Sequence, residues 1–169
     1  MTPTSIKRRS GNAVLETVML MPLILLLLVG MAQFGKITYI YYTLRKTIYA
    51  VGTYLSNQQG VNFCDPADPT IAAAINFGVT GTTDGSQPAF VNGLTAAMIQ
   101  VTAEAVDPTT GALSAYGSGC VASPPFDGTP PDQIVVSIPN GYMVTPRIPF
   151  IQVDAIPLKP EVKVPYGGT

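Results

Sequence analysis

The chain has 169 residues, of which 47% are hydrophobic and only 11% charged, with a formal net charge of −1. That length suits one modest domain plus an anchor, and the near-zero charge excludes a nucleic-acid binder that relies on a strong basic field. Histidine and tryptophan are absent, so the commonest general base and the commonest zinc ligand are both missing.

The first twelve residues are polar and basic. Lys7, Arg8 and Arg9 are the only charges before Gly11, and a chain without them carries 6 basic and 10 acidic side chains, net −4. An apolar run follows from Val14 to Phe34. As a helix its 21 residues span roughly 31 Å at ~1.5 Å each, matching a bilayer core of about 30 Å. No ionisable side chain lies between Thr17 and Ala32. Pro22 falls near the start of the run, where a membrane helix tolerates a kink. The basic cluster ahead of the span puts the N-terminus in the cytoplasm and the C-terminal part outside it. Lys36, Arg45 and Lys46 on the other flank oppose this without reversing it, because the first flank usually dominates.

Beyond the span, Ile37, Tyr41, Leu44, Ile48, Val51 and Leu55 recur at intervals of 4, 3, 4, 3 and 4. This heptad-like seam extends the helix to about Leu55 and suits packing on other helices. Tyr39, Tyr41 and Tyr42 stand where an interfacial aromatic belt forms, or where subunits pack on one another. Ser56-Asn57-Gln58-Gln59-Gly60 ends the helix.

From Gly60 the texture turns to Gly, Pro, Thr and Asp. Asp68 reads as the N-cap of a short helix, with Pro69 its first residue and Gly78 its stop. Alternation predicts strands at Ile99–Ala105 and Ile151–Ala155, Ile134–Ile138 is a further strand candidate, and Val162 and Val164 around Lys163 suggest a short last one. Asp107–Gln133 reads as a long loop. Ten of the 16 prolines lie after residue 120, which favours short strands and edges. The expected fold class is therefore α+β: a long N-terminal transmembrane helix (12–56, spanning at about 14–34) followed by a small antiparallel β-sheet domain (57–169), pilin-like.

Cys64 and Cys120 are the only cysteines. Their separation of 56 positions fits no CxxC motif, so a disulfide made in an oxidising compartment is expected. Two buried free thiols are the alternative. Asp65 and Asp68 lack EF-hand spacing, and Gly117-Ser118-Gly119 is no nucleophile elbow. No phosphate loop occurs. Neither an enzyme nor a cofactor nor a metal site is expected.

The front of the chain carries the sharpest motif: Lys7-Arg8-Arg9-Ser10-Gly11-Asn12-Ala13-Val14-Leu15-Glu16. A glycine after a basic leader, then four residues and a lone Glu opening an apolar span, resembles a prepilin-peptidase site. With Glu16-Thr17-Val18-Met19-Leu20-Met21-Pro22-Leu23-Ile24-Leu25, Gly30 and Gln33-Phe34-Gly35 downstream, it is similar to the opening of TadE-like pseudopilins of tight-adherence (Tad) pili. The resemblance covers about residues 7–55. It extends weakly to Gly93-Leu94 and to the Val135–Pro165 tail. The family commonly has an aromatic residue after the glutamate, and this chain has Thr17.

The resemblance implies cleavage of a leader (1–11) after Gly11, a new N-terminus at Asn12, and retention of the apolar helix. It implies a structural minor pilin or pseudopilin in the bacterial inner membrane. The partners would be prepilin peptidase, other pilin or pseudopilin subunits, inner-membrane Tad assembly proteins and membrane lipid, with no nucleic acid. Glu16 has a physical rationale of its own. A carboxylate costs roughly 2.5–3.5 kcal/mol at the bilayer centre and needs a partner. The α-amine of Asn12 is one, in the same chain or across staggered subunits; a headgroup-level Glu favoured by the helix dipole is the plainer account. Two competing outcomes remain: an anchored periplasmic adaptor that never assembles, and a secreted protein cut after Ala32 at Gly30-Met31-Ala32.

Overall fold

A computed structural model describes residues 10–65, 67–107, 110–115, 130–149 and 152–167, and for 10–13 the backbone alone. Helix α1 runs without interruption over Ser10–Ser56, with Pro22 inside it. Proline lacks the N–H that would bond the carbonyl of Val18, yet the helix continues through it. The two ends of α1 have different surroundings. The strongly apolar window of the N-terminal half is 0% buried, and Leu15, Met19, Leu23, Leu27 and Phe34 are all exposed. The C-terminal half buries Leu44, Ile48, Val51 and Leu55 completely.

Those four residues are the lower part of the heptad-like seam, and their partners belong to the same chain. They join Ile71 and Ala74 of α2 (Pro69–Thr80) with Ile134 and Val136 of the sheet in one core. Packing of this part of the seam on other helices, expected from the spacing, is thus corrected: the chain's own domain covers it. Removing each such side chain from water contributes about 1.5–3 kcal/mol.

The sheet has four antiparallel strands in the order β2-β1-β3-β6, namely β1 (Gln100–Val106), β2 (Leu113–Ala115), β3 (Gln133–Ser137) and β6 (Glu161–Pro165). Register places Val101 opposite Val136 and Ala103 opposite Ile134. Across the next ladder Ile134 faces Val164 and Val136 faces Val162. The period of two therefore lines one face with apolar side chains, and α1 lies on it. Gly52 marks the closest approach, since a Cβ there would stand 2.8 Å from Val164 Cγ2. The end of α1 is fastened by the tail, because the Gly167 N–H donates to the Ser56 carbonyl at 3.1 Å. That bond satisfies one of the carbonyls a helix end leaves open.

Three expectations need correction. Gly78 does not stop α2, which ends at Thr80 with Gly81 left-handed at φ 83°. Gly78 instead lets α2 touch α1, for a Cβ there would meet Val51 Cγ2 at 2.3 Å and the Thr47 carbonyl oxygen at 3.1 Å. Second, residues 152–155 form no strand. The strand is β5 (Ile156–Leu158), paired with β4 (Tyr142–Val144) in a separate two-stranded sheet. The inner sheet already has β6 beside β3, so the alternation at 152–155 finds no apolar face to cover. Third, the expected loop at Asp107–Gln133 contains β2 and the start of β3. β2 pairs antiparallel with β1, and between them the Gly111 N–H donates to the Asp107 carbonyl at 2.7 Å with Gly111 at φ 68°.

The Gly78 contact makes a direct prediction. Alanine would gain about 1 kcal/mol of helix propensity, but overpacking against Val51 and a backbone carbonyl costs typically 1–3 kcal/mol and has nowhere to relax. Gly78→Ala is expected to lower the denaturant midpoint of the domain. A midpoint at or above wild type would mean that α1 and α2 are further apart than this.

Candidate assembly and anchoring segment

The candidate site is the exposed N-terminal half of α1. Gly11 and Asn12 are its second and third residues, and Glu16 follows Asn12 by four, a rise of about 6 Å, or one turn. Glu16 is exposed and has no hydrogen bond or ion pair among the described residues. A carboxylate with no partner among the described residues opens an apolar surface, an arrangement that a nearby cation would stabilise. From Glu16 to Leu55 the helix extends about 60 Å, so this end stands far from the domain core. Gly30, Met31 and Ala32 lie inside the unbroken helix. Adding a Cβ at Gly30 or Gly35 would meet nothing within 4 Å, so both glycines present bare backbone to whatever surrounds the span.

The two cysteines are not near this end. Cys64 is half-buried in the connection between α1 and α2, and its N–H donates to Asn62 Oδ1 at 3.1 Å. Among the described residues no cysteine is free. Cys120 lies outside the described residues. Asp68 organises the same connection. Its Oδ1 accepts from the Thr70 N–H at 2.7 Å and its Oδ2 from the Asn62 N–H at 3.2 Å. Partial burial works against the charged form, but these bonds outweigh it and hold the Asp68 carboxyl below its usual range. Asp68 is thus the N-cap that the sequence indicates, and it also ties the cysteine-bearing loop to α2.

On the solvent face of the sheet, Lys163 Nζ reaches Glu104 Oε2 at 2.8 Å, and Gln133 Nε2 donates to the same oxygen. The hydrogen bond from Lys163 is the main cause that holds the Glu104 carboxyl below its ordinary value, with burial opposing and Gln133 assisting. Glu104 in turn raises Lys163. The pair's contribution is complete above the ordinary glutamate pKa of about 4.3 and fades as pH falls through the depressed folded value. On the alkaline side it fades as pH rises through the raised Lys163 value. Both groups are partly solvated, so the effect is small. Thermal melts in acid should therefore fall slightly more steeply for wild type than for Lys163→Met; identical acid slopes would show that the bridge is not made in solution.

Residues 11–52 match the family model of TadE-like proteins. No curated protein and no solved structure matches the chain. The matched segment covers the exposed apolar half of α1 and enters the half that the domain buries, ending at Gly52 against β6. Helix and match together fit a membrane-anchored, Tad-associated, pilin-like protein. It is in this N-terminal helix, over residues 11–52, that the chain is similar to TadE-like proteins.

Proposed function

We propose that this chain is a structural minor pilin or pseudopilin of a Tad-type pilus or secretion assembly. Prepilin peptidase cleaves it after Gly11, and α1 then holds it in the inner membrane with the N-terminus cytoplasmic and the folded domain outside. Its partners are other pilin or pseudopilin subunits and the inner-membrane Tad assembly proteins. One observation carries this reading. The domain completes its core with the C-terminal half of α1 alone and leaves the Val14–Phe34 face entirely uncovered.

That face needs lipid before assembly or neighbouring helices after it. Helix association in a membrane has no hydrophobic drive and relies on close packing and polar contacts. The bare glycines and Glu16 are the groups on this helix suited to both. The domain is exported under this reading, and a bridge between Cys64 and Cys120 follows from the compartment. The lack of a free cysteine among the described residues supports it.

The experiment is substitution of the cleavage glycine. Gly11→Val should leave only full-length protein in membranes, whereas wild type yields the shortened form. Sheared surface filaments should contain wild type and lack the variant. A wild-type protein that is shortened but never found in filaments would instead favour an anchored periplasmic adaptor.

A further inference from the structure

The end of the domain nearest the membrane carries its own chemistry. An open hollow of about 550 Å³ lies where α1 leaves the domain, lined by Lys36, Tyr39 and Thr43 of the helix together with Phe90, Met143 and Arg147. Phe90, Met143 and Tyr39 are 65%, 60% and 71% exposed, which is costly for a surface that meets only water. Neither Lys36 nor Arg147 has an acidic partner among the described residues, and no acid lines the hollow among them. Asp154 borders the next hollow, which Arg147 shares, and forms no ion pair with it. The chain as a whole is acidic, with a pI near 5.2, so two unpaired cations beside three exposed apolar rings and chains are a local reversal.

The helix fixes the height of this surface. If the apolar span ends at Phe34, Lys36 stands about 3 Å and Tyr39 about 7.5 Å beyond it along the axis. The headgroup layer on each side of a bilayer is about 5–7 Å thick. The hollow therefore begins inside that layer. Phe90 ahead of β1, Met143 in β4 and Arg147 just after it line the same hollow as this stretch of α1, which brings them to one level.

We propose that this end of the domain is a seat for the bilayer surface, in which Phe90 and Met143 enter the interface while Lys36 and Arg147 hold the phosphates of anionic lipid headgroups. The inference rests on the membrane-anchored reading of α1, but not on which side of the membrane the domain lies. Seating would restrict the tilt of the domain relative to its anchor. Interfacial apolar contacts and basic side chains near an anionic surface act in the same direction here.

The absence of native tryptophan makes the test direct. Full-length Phe90→Trp, and separately Met143→Trp as a second reporter in case the first perturbs packing, is placed in phosphatidylcholine vesicles with and without phosphatidylglycerol. The expected result is a blue-shifted emission that brominated lipids quench, more strongly with phosphatidylglycerol. Adding Lys36→Glu and Arg147→Glu should remove that extra shift while the protein still floats with the vesicles. Water-like emission from both reporters in floating protein would overturn the seat and leave the anchor standing. Shielding that is equal in both lipids and grows with protein density would overturn it in favour of a second copy. Failure to float would remove the anchor reading, and the seat with it.

Discussion

Glu16→Gln is expected to insert into the membrane as well as wild type and to be lost from filaments. The substitution keeps the size of the side chain and deletes only its charge. Insertion has no use for that charge, since an amide is easier than a carboxylate to place at the edge of an apolar span. Assembly uses it if the new α-amine of Asn12 on a neighbouring subunit is its partner. Removing one member of a desolvated, hydrogen-bonded charge pair costs 2–5 kcal/mol, so the variant's share of sheared filaments should fall by about 30-fold or more. Membrane fractions measured alongside guard against simple loss of protein. Unchanged recovery of the variant in filaments would return Glu16 to a headgroup-level residue favoured by the helix dipole.

A second large effect is expected at the cysteines. A bridge from Cys64 to Cys120 closes a loop of about 57 residues, for which the chain-entropy model gives roughly 4 kcal/mol as an upper figure. Typical domains are stable by only 5–15 kcal/mol in total, and a small one has less to spare. The bridge would tie the α1–α2 connection, already organised by Asp68 and Asn62, to the segment between β2 and β3. Cys64→Ser should therefore make the domain sensitive to protease under conditions where wild type resists, with α1 still in the membrane. Thiol labelling of denatured, non-reduced wild type should find no reactive cysteine. Two reactive thiols would mean that the pairing or the exported topology is wrong.

The parts of the fold legible in the sequence are those with a long, unambiguous period. The span and the Leu44–Leu55 seam run on one helical repeat, so the single helix over Ser10–Ser56 could be foreseen. What covers the seam could not, because periodicity shows a buried face without naming its partner. β1 and β6 alternate and form where alternation places them, and β3 forms at the apolar Ile134–Ile138 stretch. Residues 152–155 alternate as well, yet pair with nothing, because position beside β3 depends on long-range register that local pattern does not contain. Gly78 was misleading for a related reason. A glycine that permits close helix packing and one that ends a helix look alike until the second helix is in place. At the site, Glu16 stands out as a lone charge at the edge of an apolar run. The Phe90, Met143 and Arg147 surface is invisible to such reading, since it is assembled from a loop, strand β4 and the segment after it, with no common spacing.

The proposed function requires an apolar helix that is retained and begins at Asn12. Mass spectrometry of the mature protein isolated from cells tests it most directly. The expected N-terminus is Asn12, with Glu16 as the fifth residue and α1 otherwise intact. An N-terminus at Gln33 would contradict it, because the exposed face from Val14 to Ala32 would then be a discarded signal segment and not an anchor.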